Sequence, residues 1–136
     1  MVVYFARITL NGRVAYKIGH SKHSFRPELR FIDDQYDVFD AIEILATISI
    51  NHEEYRTAKS KVERVEKGLQ QLYPKNFYLE KYFDKPVGTF DGLSGITEMF
   101  ILEEGQTEQE LLDWFDRINY IFENSVDKHT EETYDV

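Results

Sequence analysis

The hydrophobic pattern opens with two short β-prone runs, Val2 to Leu10 and Arg13 to Gly19, separated by Asn11-Gly12. A two-residue type I′ turn needs positive φ at both positions, which Asn-Gly supplies, so the pair predicts a tight β-hairpin. The turn also sets a register: Leu10 opposite Arg13, Ala6 opposite Lys17, Tyr4 opposite Gly19. Further on, Ile42, Ile44, Ala46, Ile48 and Ile50 alternate with Glu43, Leu45, Thr47 and Ser49, the period of a strand. The spacing then changes. Ala58, Val62, Val65, Leu69 and Leu72 recur at steps of four and three, one apolar stripe on a helix that Pro74 stops and Asn51 is placed to cap. Phe25, Leu29 and Ile32 predict a short helix between hairpin and third strand, with Pro27 in its first turn. Asn76 to Phe90 is aromatic-rich and reads as irregular. Thr97 to Leu102 reads as a last strand. Thr107, with Glu110 three residues on, forms a capping box before a final helix with the apolar face Leu111, Leu112, Phe115, Ile118, Ile121 and Phe122. From Glu123 the chain reads as a frayed acidic tail. Hairpin strands with helices packed on them indicate an α+β fold: a small antiparallel or mixed sheet flanked by helices, plus a C-terminal helix.

Composition narrows this only in part. The 136 residues suffice for one core, and ten Phe, nine Tyr and one Trp argue against disorder. The absence of cysteine excludes disulfides and thiolate metal sites. No apolar run nears the length of a membrane span, and no basic-then-apolar leader opens the chain, so the expectation is a cytoplasmic protein with no membrane partner. The net charge of −9 is uneven: residues 1–102 are balanced, and residues 103–136 carry two Lys/Arg against eleven Asp/Glu. A division follows between a body, 1–102, and an acidic C-terminal helix and tail, 103–136. The acidic part would repel a phosphate backbone wherever it comes close.

Candidate chemistry sits on the hairpin. Side chains alternate across a sheet, so Tyr4, Ala6, Lys17 and Gly19 share one face, and Val3, Phe5, Tyr16 and Ile18 the other. The second face reads as core. The first carries a phenol, an ammonium and a glycine that leaves room for a ligand. On the long helix, Glu66 lies at the border of the apolar stripe, where a carboxylate can be both held and exposed. Arg26 and Arg30 are four apart and would point together. His20 and His23, with no third ligand nearby, make a weak metal pair. Phe77, Tyr78, Tyr82, Phe83 and Phe90 could stack bases, but packing onto the sheet is the better expectation.

These residues, in this order, resemble the GIY-YIG nuclease superfamily over residues 2–102. Val3-Tyr4-Phe5 stands at its first motif and Lys17-Ile18-Gly19 at its second, across a hairpin. Arg26, or Arg30, falls at its first-helix arginine, Glu66 at its metal-binding glutamate, and Pro74-Lys75-Asn76 at its Pro-x-Asn segment. Tyr-Lys-Ile-Gly, with the later Gly95-Ile96-Thr97-Glu98-Met99-Phe100, is closest to the phage-associated branch. The chain departs from the pattern where Lys17 replaces a tyrosine and where the first glycine is missing.

The resemblance implies a small metal-dependent endonuclease acting on DNA. Glu66 would hold one Mg²⁺ or Mn²⁺, a hard ion that keeps most of its waters. Tyr4 would orient or deprotonate the attacking water with Lys17 beside it, and Arg26 or Arg30 would clamp a phosphate oxygen. Gly19 would leave space for substrate, and Asn76 would orient Glu66 or hold substrate. Two other readings remain open. One is an inactive binding protein on the same fold, a phage or mobile-element accessory taking a nucleic acid, a nucleotide or a host protein. The other is an acidic interaction protein acting through residues 103–136, where the C-terminal helix would join a homodimer or a host protein.

Overall fold

The computed structural model describes residues 1–22, 36–50, 55–93 and 98–135, with the helical backbone alone at 55 and 124–135. Strands β1 (Val2–Leu10) and β2 (Arg13–Ser21) form the expected hairpin, with Tyr4 opposite Gly19 and Ala6 opposite Lys17. Asn11 and Gly12 take φ of 52° and 73°, as the turn requires. The tip is stitched down: the Asn11 backbone N–H donates to Asp40 at 3.0 Å and its side-chain amide donates to the Phe83 carbonyl at 2.7 Å. Strand β3 (Ala41–Ser49) pairs antiparallel with the other side of β1, through a bulge at Phe5/Ala6. The last strand, β4 (Met99–Phe100), is shorter than the pattern predicts and pairs with Tyr16 and Lys17. The sheet is antiparallel throughout, in the order β3-β1-β2-β4.

Helix α1 (Tyr55–Leu72) follows β3, and α3 (Glu108–Asp135) closes the chain. Both pack on the Val3–Phe5–Tyr16–Ile18 face, where Val62 and Leu69 of α1 and Leu111 and Phe115 of α3 are at most 2% exposed. Each such side chain contributes on the order of 1.5–3 kcal/mol. The start of α3 is clasped to the sheet. Arg7 donates to both oxygens of Glu108 at 3.0 Å and to Glu43 at 2.8 Å, and the Tyr16 hydroxyl donates to Glu108 at 2.8 Å. Burial, then the Glu108 carboxylate, pushes the Tyr16 phenol up to about 12. The bonds to Glu43 and then Glu108 hold the Arg7 guanidinium above its ordinary value.

The opposite face differs from expectation. It is a second core: Tyr4, Ala6, Ile8, Leu10 and Ala15 lie under Tyr36, Phe39, Leu79, Phe83, Phe90 and Met99. The aromatic segment after α1, with Tyr36 and Phe39 ahead of β3, supplies the cover. It contains a short helix, α2 (Leu79–Phe83), where the pattern suggests irregular chain, because Leu79 and Phe83 are one turn apart and both buried. Asp84, at φ 55°, ends it in the left-handed conformation. Phe39, Phe83 and Phe90 pack ring to ring, with centroids 5.5–6.0 Å apart. The cluster is packed on the sheet, as expected, except for Tyr78, which is 80% exposed.

The C-terminal segment also differs. It continues as helix to Asp135 rather than fraying from Glu123. No glycine or proline interrupts residues 106–136, and Lys128 lies one turn before Glu132, so a nucleated helix has no reason to stop where its apolar stripe ends. Thr107 caps it by accepting the Glu110 backbone N–H at 3.1 Å. The predicted helix over Phe25–Ile32, the Asn51 cap and the segment Gly95–Thr97 lie outside the described residues.

Candidate active site at the end of β2

Among the described residues, the far end of β2 gathers the buried polarity. Tyrosines aside, the buried polar or charged residues among those described are Lys17, Ser21 and Glu66. Two lie in one five-residue stretch of β2, and the third packs against it. Burying such groups costs several kcal/mol each unless they are paired, so each needs a partner at this strand end.

On the Tyr4 face, the Lys17 ammonium donates to the Tyr4 hydroxyl at 2.5 Å and lies 3.1 Å from Glu98. It also sits 5.0 Å from the centroid of the Tyr4 ring. Gly19 makes this possible. A Cβ there would come 2.5 Å from the Tyr4 hydroxyl and 2.8 Å from the Lys17 nitrogen. The space beside Gly19 is therefore filled from within, by the phenol and the ammonium, and not left for a ligand. Tyr4 is 0% exposed and Lys17 2%. The expectation that Tyr4 faces an attacking water is corrected: the second aromatic core covers it.

On the other face, the Glu66 carboxylate lies 2.7 Å from Nδ1 of His20. The Glu66 side chain is 11% exposed and the imidazole 37%. The contact is within hydrogen-bond distance and fixes the imidazole against α1. One turn further along α1, the Gln70 amide donates to the Ile18 carbonyl at 2.9 Å, at the β2 edge beyond its pairing with β4. Tyr4–Lys17 and His20–Glu66 thus flank consecutive residues of β2, Gly19 and His20, from opposite sides of the sheet. The four groups share a strand end and not a pocket.

Between α1 and the start of β4 lies a cleft of about 370 Å³ lined by Gln70, Tyr73, Pro74, Lys75 and Glu98. Tyr73 packs on Phe100 with ring centroids 5.4 Å apart. Burial, then the negative charge of Glu110, pushes its phenol up to about 12.

Arg26 and Arg30 lie outside the described residues. Asn76 is described and lies away from Glu66. Its amide donates to the Ile101 carbonyl at 2.8 Å and accepts the Ile101 N–H at 2.9 Å, tying the exit of α1 to the chain after β4. Asn76 thus does not orient Glu66; its side chain holds the Ile101 backbone, with the Glu103 carboxylate 3.3 Å from its amide nitrogen. Sequence reasoning missed His20 as the partner of Glu66, and Gln70 and Glu98 as lining residues. The signal for His20 was the same alternation that set Gly19 on one face, since the next residue must then face α1.

Glu66 suits a hard divalent ion in one respect. Such an ion keeps its waters and takes one or two carboxylates along with substrate phosphate. Among the described residues no three His, Cys, Asp or Glu side chains gather as a closed metal cage. Among them, too, no helix is long and apolar enough to cross a membrane. In comparisons with known protein families, curated proteins and solved structures, nothing matches this chain.

Proposed function

We propose that the chain is a small metal-dependent endonuclease of the GIY-YIG type, hydrolysing phosphodiester bonds of DNA at the His20–Glu66 pair. The observation that carries this reading is the 2.7 Å contact between a nearly buried carboxylate and a solvent-reaching imidazole at the end of the hairpin's second strand. Glu66 would hold a Mg²⁺ or Mn²⁺ ion, which when bound supplies positive charge to the phosphate and its attacking water. His20 accepts the proton of that water as the new oxygen–phosphorus bond forms. The old ester bond breaks, and the departing alkoxide takes a proton from solvent. Glu66 steadies the imidazolium that results. Lys17 and Tyr4 do not touch substrate in this scheme; their bond fixes the course of β2 beneath Gly19 and His20. Supercoiled plasmid with Mg²⁺ or Mn²⁺ is the direct assay. Glu66→Gln and His20→Ala should each lower nicking at least 100-fold with the melting curve unchanged. Wild-type protein as inert as Glu66→Gln on plasmid, single-stranded and branched DNA would overturn the reading.

One observation favours a second reading, a non-catalytic binding protein on the same scaffold. The phenol at the first motif position is fully covered and held by the lysine that stands for the family's tyrosine. DNA binding that weakens steeply with salt, with no cleavage under any metal, would select it.

A further inference from the structure

We infer that the cleft between α1 and β4 is a subsite for an unpaired guanine base, and that it sets the base preference of the site proposed above, on which this inference rests. The cleft begins one helical turn from Glu66, at Gln70, a rise of roughly 6 Å along α1. That is within the span of one nucleotide, so a phosphate at Glu66 and His20 leaves its own base beside Gln70 and Glu98. At about 370 Å³ the cleft is in the range of small-ligand sites.

Its lining is asymmetric in hydrogen-bonding character. Gln70 gives one of its two amide N–H groups to the Ile18 carbonyl. That amide keeps its second N–H, a donor, and its carbonyl oxygen, an acceptor. Glu98 is held 3.1 Å from the buried Lys17 ammonium, yet its side chain stays 31% exposed. A carboxylate is likewise an acceptor, with more lone pairs than a single lysine contact uses. The Glu98 wall of the cleft therefore asks for donors. Lys75, at the same cleft, is a cation suited to a phosphate. A ligand with a donor edge and an anionic end is a nucleotide bearing an amino group. Among unpaired bases guanine offers two adjacent donors, its ring N–H and its amino group, which match a carboxylate in two parallel bonds. Thymine offers one. The Lys17–Glu98 pair then has a purpose that packing does not give it: the ammonium holds the carboxylate in place at the cleft wall.

The test is titration of the ¹⁵N-labelled full chain with dGMP, dIMP and dTMP, without metal. Inosine keeps the ring N–H of guanine and lacks its amino group. The expected result is that dGMP shifts the amides of Gln70, Tyr73, Lys75 and Glu98, that dIMP binds about tenfold more weakly, and that dTMP shows no saturable binding. Glu98→Gln should abolish the preference of dGMP over dIMP. Lys75→Ala should weaken dGMP several-fold and leave deoxyguanosine binding as it was, which separates the base contact from the phosphate contact if Glu98→Gln proves unstable. Equal binding of all three nucleotides, no binding, or shifts confined to the outer face of α3 would overturn the inference. The titration involves no cleavage. Guanine binding by a protein inert on DNA sinks the nuclease reading alone, and nicking with no guanine preference in either titration or cut sites sinks this one alone.

Discussion

At the scale of single residues, Gly19 is the position on which the strand end depends. Its φ is ordinary, so the demand is for space: the Tyr4 hydroxyl and Lys17 ammonium occupy the volume a methyl group would need. Neither can yield easily, because Tyr4 has no exposed surface and Lys17 is tied to Glu98. Gly19→Ala should destabilise the protein by about 1–3 kcal/mol, the usual cost of overfilling a packed interior, as read from the urea midpoint. A change within experimental error would mean that the phenol–ammonium pair is looser than its geometry implies. The hairpin register, and so the pairing of Tyr4 with Gly19, is legible from Asn11-Gly12 alone, since turn type fixes register. Which face of the hairpin would be open is not legible. Alternation says only that two faces exist, and here both are buried.

At the scale of elements, the clasp between β1, β2 and the first turn of α3 makes stability depend on pH at the alkaline end. The Tyr16 phenol stands at about 12 in the folded chain against about 10 in an unfolded one, because burial and Glu108 both disfavour the phenolate. A raised value on an acidic group means that folding favours its neutral form. That contribution is intact below pH 10 and is lost as pH rises from 10 to 12. Tyr73 adds a second loss of the same sign over the same window. Urea midpoints measured from pH 9 to 12 should fall for the wild type, and fall less for Tyr16→Phe and for Tyr73→Phe. Parallel curves for all three proteins would rule the two phenols out as the cause. The helices themselves were readable where an apolar stripe repeats, as in α1. The short α2 was not, because two buried residues one turn apart are too few to stand out from an aromatic-rich loop. The last half of α3 was misjudged because a stripe predicts where a helix is packed and not how far it runs.

At the scale of the whole molecule, charge and direction act together. Helix α3 starts beside Arg7 and Glu43, and by Asn119 it has reached the Thr47 carbonyl, to which that side chain donates at 2.9 Å. Thr47 lies opposite Tyr4, and Tyr4 opposite Gly19, so the helix advances toward the end of the sheet that holds the candidate site. It continues for about 18 Å past Glu123, carrying Asp127, Glu131, Glu132 and Asp135. The net negative charge of this segment lowers the local concentration of any polyanion near that end. Removing residues 123–136 should therefore tighten DNA binding at low salt, by roughly tenfold, with the two proteins converging as the ionic strength is raised toward 0.5 M. Equal affinity at low salt would show that the segment lies outside the field felt by DNA, and would favour its use as a contact for a protein partner.

Strand β1 has a neighbour on each side and a core on each face, and its residues from Val2 to Ala6 have no exposed surface. No local fluctuation can wet it; only loss of the entire fold does. In deuterated buffer its paired amides should be the slowest to take up label, and their rate should report the global free energy of unfolding directly.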